Sequence, residues 1–152
     1  MKKLIYICLL LPLVAFQSCK KAASPGDNYD FSNPLPPYAE FKALTGLSVK
    51  LAANQTTAGT AKVTFITRTA LQQDVTVTYS VTGAVNLANQ TIVIPKDATT
   101  SAEASITIPA KTAPGTAVVT INKVVAADGT LLAIGKDNVA ANQKVTITIT
   151  QL

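Results

Sequence analysis

The chain has 152 residues, of which 48% are hydrophobic and 14% are charged, and its formal net charge is +5. This length suits a single domain, and the absence of histidine removes the most common general base and metal ligand. The basic residues are spread singly apart from the pairs Lys2-Lys3 and Lys20-Lys21, whereas nucleic-acid-binding proteins cluster them on one face or strand. We therefore expect no nucleic-acid partner.

The first 18 residues have the features of a secretory signal peptide. Lys2 and Lys3 precede the apolar stretch LIYICLLLPLVAF, and the small residue Ser18 stands immediately before Cys19. A basic tip, a short apolar stretch and a small residue at the cleavage point are typical of such peptides. The stretch is shorter than the roughly 20 apolar residues of a membrane-spanning helix, so we predict that residues 1–18 are removed.

Cys19 is the candidate lipidation site. The sequence FQSC resembles the lipobox of bacterial lipoproteins at its Ser-Cys end, with Phe16 and Gln17 in place of the more common aliphatic and small residues. The resemblance implies that Cys19 receives a diacylglycerol and becomes the first residue of the mature protein. Several acyl chains on one residue give stable membrane attachment, at roughly 0.8 kcal/mol per buried methylene. The alternative is a soluble secreted protein cleaved nearby, in which Cys19 is a free thiol.

Residues 19–44 have the composition of a tether. The stretch KKAASPGDNYDFSNPLPPYAEFKALTG is rich in Pro, Ser, Asn and small residues, and it shows neither strand alternation nor a helical period. Its prolines favour an extended conformation, which spaces a domain from a membrane by about 3.1 Å per residue. Four aromatic residues in it are candidate contacts for a peptide or glycan partner: Tyr29, Phe31, Tyr38 and Phe41. For Tyr38 and Phe41 the favoured interpretation is that they pack on the edge of the following domain, and contact with a partner is its alternative.

Residues 45–152 alternate between apolar and polar side chains with a period of two. In DVTVTYSVT, the alternation places one set of side chains inward, Val75, Val77, Tyr79 and Val81, and another outward, Thr76, Thr78 and Ser80. Strict alternation is typical of half-buried strands, in which threonine and valine are favoured. The spacing of the alternating runs predicts one all-β domain of about seven to eight short strands.

The run DVTVTYSVTGAVNLANQTIVIPKDATTSAEASITIPA, residues 74–110, resembles the middle of Calx-beta and related immunoglobulin-like domains. The likeness covers roughly residues 47–152 and implies a single immunoglobulin-like antiparallel β-sandwich. Calcium-binding members hold the ion with clustered acidic residues, because calcium takes about six to eight oxygen ligands. Here the acidic residues stand alone, so we expect neither a metal nor a cofactor: Asp74, Asp97, Glu103, Asp128 and Asp137.

The sequence does not predict an enzyme. Without histidine, and with Cys19 lipidated and Cys8 removed with the signal peptide, the Ser-His-Asp and Cys-His arrangements are excluded. The resemblance extends to small lipoproteins of glycan-using Gram-negative bacteria, which implies an outer-membrane lipoprotein on the cell surface or the periplasmic face. We therefore expect a non-catalytic, monomeric binding or accessory module for a glycan or an envelope protein.

The alternative function is structural or adhesive, through the pairing of strand edges. The segment QKVTITITQL, residues 143–152, is a candidate edge, and an unpaired edge is a template for association with another chain. Charged residues on an edge block such pairing, and Lys50, Lys62 and Lys144 are the candidates for that role.

Overall fold

The computed structural model describes residues 36–52 and 56–152, and most of these residues form β-strands. The all-β prediction is therefore confirmed for this part of the chain. The strands are, in order, β1 (Tyr38–Phe41), β2 (Leu47–Leu51), β3 (Gly59–Val63), β4 (Phe65–Thr67), β5 (Val75–Gly83), β6 (Leu87–Ile94), β7 (Ala104–Ile108), β8 (Gly115–Ala126), β9 (Ala133–Ile134) and β10 (Lys144–Gln151). Two short 3₁₀ helices, Lys136–Asn138 and Ala140–Gln143, connect β9 to β10.

The largest sheet has five strands in the order β2-β10-β8-β5-β6. Its neighbours are antiparallel except for β2 and β10, which run parallel with Leu47 opposite Ile147. A three-stranded sheet has the order β4-β1-β9, and β3 pairs with β7 in a two-stranded sheet. These two smaller sheets are linked through the chain itself, because only Thr64 separates β3 from β4.

The chain passes from the three-stranded sheet to the five-stranded sheet between β1 and β2. Directly after β1, the Lys42 amide donates a hydrogen bond of 2.9 Å to the Thr64 carbonyl, at the interruption between β3 and β4. Five residues later the chain joins the five-stranded sheet at Leu47, beside β10. This crossover places the ends of β1, β3 and β2 close together at one side of the fold.

The core lies between the sheets and follows the alternation of the sequence. In β5, Val75, Val77, Tyr79 and Val81 are buried and the intervening polar residues are not, as predicted. The Phe65 ring lies 5.0 Å from the Phe41 ring and 5.2 Å from the Tyr79 ring, measured between centroids. Because Phe65 is in β4 and Tyr79 in β5, the second contact joins the three-stranded sheet to the large one, whereas the first lies within the three-stranded sheet.

The structure differs from the sequence-based expectation at β1. This strand lies inside the range 19–44 that the composition assigns to a tether, and Ala39 and Phe41 in it are 0% and 2% exposed. Its strand conformation is stabilised by long-range pairing with β4 and β9, which no local pattern reveals. The described strands also outnumber the expected seven to eight. Two reasons are that the two-residue β9 counts as a strand and that Thr64 divides one run into β3 and β4.

The expectation that residues 143–152 form an exposed edge is wrong. β10 lies between β2 and β8 and pairs with both, and residues 147–149 have strand partners on each side. The edges of the five-stranded sheet are instead β2 and β6. Within the described ranges, the helices are short 3₁₀ turns, and none has the length and apolar character needed to span a membrane.

Candidate functional site

The residues predicted from the sequence as sites fall in different places. Cys19, Tyr29 and Phe31 lie outside the described residues. Tyr38 begins β1, where it is half-buried opposite Ala133. Phe41 is 2% exposed and packs on Phe65, so it is a core residue and is not available to an external partner.

A cleft lies at the crossover between β1 and β2. Its volume is about 270 Å³, and its lining combines apolar side chains with two ammonium groups: Phe41, Lys42, Ala43, Leu47, Lys62, Val63, Thr64 and Val145. Lys62 donates a hydrogen bond of 2.8 Å to Glu103 Oε2, and this bond, with the attraction of the carboxylate, raises the pKa of Lys62. The cleft is smaller than the roughly 300–1,000 Å³ of most ligand pockets, and one of its two cations already has a partner.

A larger polar surface covers the outer side of the five-stranded sheet. Alternate residues of a strand point to opposite faces, and the core takes the apolar set, so the outward set is rich in hydroxyl groups. We call this surface the hydroxyl face; its hydroxyl-bearing members are Ser48, Thr76, Thr78, Ser80, Thr82, Thr91, Thr116, Thr120, Thr146, Thr148 and Thr150. All of them are exposed or half-buried.

The strand register places these side chains in rows across the sheet. One row runs from Ser48 through Thr148 to Thr116, and another runs from Lys144 through Thr120 to Ser80. Directly opposite side chains on neighbouring strands are close enough to interact. The rows therefore form a continuous polar surface rather than isolated hydroxyl groups.

The hydroxyl face is also cationic. The strands of the five-stranded sheet contain no Asp or Glu, and they carry the lysines Lys50, Lys123 and Lys144, all exposed. The acidic residues among the described ranges lie in β1 or in the connections between strands: Glu40, Asp74, Asp97, Glu103, Asp128 and Asp137. Opposite charges are thus segregated, and the face attracts anions.

An irregularity in β8 presents Lys123 on this face. The pairing of β5 with β8 shifts register between Thr78 and Tyr79, so Asn122 and Lys123 are both exposed while Val124 returns to the core. The Ser80 hydroxyl donates a hydrogen bond of 3.2 Å to Asn122 Oδ1. A bulge of this kind re-aims side chains without breaking the sheet, and here it adds one amide and one ammonium group to the surface.

Sequence reasoning identified part of this surface without recognising it as a site. The alternation marked Thr76, Thr78 and Ser80 as outward, and the same repeat of threonine at every second position recurs in KVTITIT. That repeat of threonine is the sequence feature from which a hydroxyl-rich outer face could have been predicted. Whether the threonines of β5 and β10 share one face depends on β8 pairing with both strands, which is a long-range property.

No group of three or more cysteine or acidic side chains within residues 36–52 and 56–152 is arranged to hold a metal ion. Neither a protein-family model nor a curated protein matches the sequence.

Proposed function

We propose that this protein is a non-catalytic, lipid-anchored protein of the cell envelope whose β-domain holds a glycan or a protein partner near the outer membrane. The observation that carries this proposal is the hydroxyl face: a broad polar surface with exposed lysines and no carboxylate in its strands. The membrane attachment rests on the Ser18-Cys19 pair after a basic and apolar leader.

We infer that the domain is a single immunoglobulin-like β-sandwich of the Calx-beta kind. Two features support this inference. The contact of Phe65 with Tyr79 joins sheets on two sides of one core, and sheets packed over a core of alternating residues are characteristic of such sandwiches. The chain also changes sheet between β1 and β2, so one N-terminal segment contributes a strand to each.

Site-specific photo-crosslinking in intact cells tests the binding function. A photoreactive amino acid at Thr148, which lies between Ser48 and Thr116 on the hydroxyl face, is expected to give a discrete adduct with a glycan or an envelope protein. The matched control is Thr107, an exposed threonine in the middle of β7, where no such adduct is expected. Equal results at the two positions, or no adduct at Thr148, would overturn the proposal.

The anchor has a separate test. A Cys19→Ala variant is expected to leave the membrane fraction, because the resemblance to a lipobox assigns the lipid to the Cys19 sulfur alone. Treatment of intact cells with protease, beside a periplasmic control protein, then distinguishes the two faces of the membrane. Continued sedimentation of the Cys19→Ala variant with membranes would contradict the lipoprotein assignment.

Assembly through strand edges is a second candidate function, and β6 is the edge that favours it. β6 pairs only with β5 in the five-stranded sheet, contains no charged residue and exposes 43% of Val93. Uncharged edges template association. Light scattering at high concentration is expected to show oligomers that Val93→Lys dissolves, whereas a wild-type monomer would exclude this function.

A further inference from the structure

The hydroxyl face has the chemistry of a surface for a charged sugar polymer. We propose, building on the binding function above, that it binds an extended anionic polysaccharide laid along β10. The proposal concerns the class of ligand, and three features of the face carry it: its charge, the small size of the apolar groups within its strands, and the separation of its lysines.

The charge selects an anion. Lys50, Lys123 and Lys144 are the charged residues in the strands of this sheet. An anionic ligand therefore meets no carboxylate within the sheet. A neutral ligand gains nothing from this segregation.

The side chains favour a sugar polymer over a protein or a nucleic acid. Protein interfaces have aromatic and apolar centres, and proteins that bind single-stranded nucleic acids stack bases on aromatic rings. Within the five strands, the outward apolar residues of this face are the small side chains Val93, Val118 and Val125; the larger Leu131 bridges Val125 at one end of the sheet, away from the stretch between Lys50 and Lys144. Threonine and serine hydroxyls both donate and accept hydrogen bonds, which suits the hydroxyl and carboxylate groups of an acidic polysaccharide.

The separation of the lysines favours a polymer over a small anion. Lys144 begins β10, and Lys50 is opposite Thr150 near its end. A strand rises about 3.3 Å per residue, so the two positions are about 20 Å apart along the sheet. Thr146 and Thr148 lie between them on the same face. Only an elongated ligand reaches both ammonium groups while contacting the hydroxyls between them.

The binding should be weak at each cation and sensitive to salt. Ion pairs with exposed lysines are individually weak and are screened as ionic strength rises. Removing both end charges by Lys50→Gln and Lys144→Gln is therefore expected to weaken binding roughly tenfold. Lys111 and Lys136 lie outside the five-stranded sheet. The double variant Lys111→Gln and Lys136→Gln loses the same net charge and should have little effect on binding.

The test measures binding of the purified full-length protein in detergent to polygalacturonate and to dextran sulfate, with dextran as the neutral control. Expected results are binding to at least one anionic polymer but not to dextran, a roughly tenfold loss in the Lys50/Lys144 double variant, and retention in the Lys111/Lys136 double variant. A Thr148→Glu variant, which adds a carboxylate between the lysines, should also lose binding, while Thr107→Glu should not. Circular dichroism establishes that each variant is folded.

Three outcomes would overturn the inference: no binding to either anionic polymer, equal binding to dextran, or equal loss in the two double variants. None of these results decides the proposed function. A discrete glycan or protein adduct at Thr148 in cells, absent at Thr107, supports a binding module whatever the charge of its ligand.

Discussion

Phe65 contacts Tyr79 with 5.2 Å between ring centroids, and this contact joins the three-stranded sheet to the five-stranded sheet. Phe65 is fully buried, so a Phe65→Ala variant is expected to lower the free energy of unfolding by about 3–5 kcal/mol. Phe65→Leu should cost less, because it keeps most of the apolar volume. Urea unfolding measures both, with Leu131→Ala as the control because Leu131 is 67% exposed. Equal effects at Phe65 and Leu131 would contradict this account of the core.

Gly59 lies where β3 approaches β2. A Cβ atom at this position would collide with Val49 Cγ1 and would lie 3.0 Å from Leu51 Cδ2. Overpacking of this kind costs about 1–3 kcal/mol, so Gly59→Ala should destabilise the domain by that amount. The matched control is Gly115→Ala, where the nearest atom lies 3.8 Å away and reduced freedom of the unfolded chain should make the change neutral or stabilising. Thermal unfolding compares the two, and a neutral Gly59→Ala would contradict the close approach.

Ser101 and Thr67 carry buried hydroxyl groups that are expected to affect the stability of the fold in opposite directions. Ser101 Oγ accepts a hydrogen bond of 3.1 Å from the Phe65 amide and donates one of 2.7 Å to the Ala102 carbonyl. Ser101→Ala leaves the Phe65 amide without its partner, and we expect a loss of about 1–3 kcal/mol in unfolding free energy.

Thr67 Oγ1 is buried and has no hydrogen-bond partner among the described residues. Replacing an unsatisfied hydroxyl with a methyl group of similar size removes a desolvation cost, so Thr67→Val should raise the free energy of unfolding by about 1 kcal/mol. Urea unfolding curves of the Ser101→Ala and Thr67→Val variants should therefore move in opposite directions from the wild type. A loss of stability in Thr67→Val would show that this hydroxyl has a partner.

The pKa of Asp128 is expected to lie below its ordinary value. The Thr130 amide donates a hydrogen bond of 2.8 Å to one carboxylate oxygen and Gln73 Nε2 donates one of 3.1 Å to the other, which lowers the pKa. The folded-state pKa is thus below the unfolded one, so this carboxylate stabilises the fold above the unfolded pKa. That contribution is lost as the pH falls through the folded pKa.

Gln73→Ala removes one of these hydrogen bonds and should raise the pKa of Asp128 toward its ordinary value. Titration of the carboxyl group by NMR measures the shift. Gln90→Ala serves as the control, because the Gln90 side chain donates to the Ala88 carbonyl. An unchanged Asp128 titration in Gln73→Ala would contradict the contribution of Gln73.

The sequence predicts which side chains enter the core better than it predicts which strands are neighbours. Val49 and Leu51 are buried as the alternation of SVKL indicates, because a period of two is a local property of the chain. β1 was missed because YAEF follows Pro36-Pro37 and becomes a strand only through pairing with β4 and β9.

The uncertainty about which strands are neighbours also limits what the sequence predicts of the hydroxyl face. Alternation assigns Thr76 and Thr78 to an outer face, but it does not reveal that Lys144 shares that face. The shared face depends on β8, which pairs with β5 on one side and with β10 on the other. Strand order follows from contacts distant in sequence, and a single sequence carries no local record of them.

The parallel pairing of β2 with β10 has a consequence for folding as the chain is synthesised. Leu47 is opposite Ile147, and the Leu152 amide donates a hydrogen bond of 3.0 Å to the Leu51 carbonyl. Because a chain is synthesised from its N-terminal end, β2 emerges well before β10, the strand that pairs with it in the five-stranded sheet. The edge of β2 therefore stays open until β10 has been made, and a chaperone that shields unpaired strands can act on β2 throughout that interval.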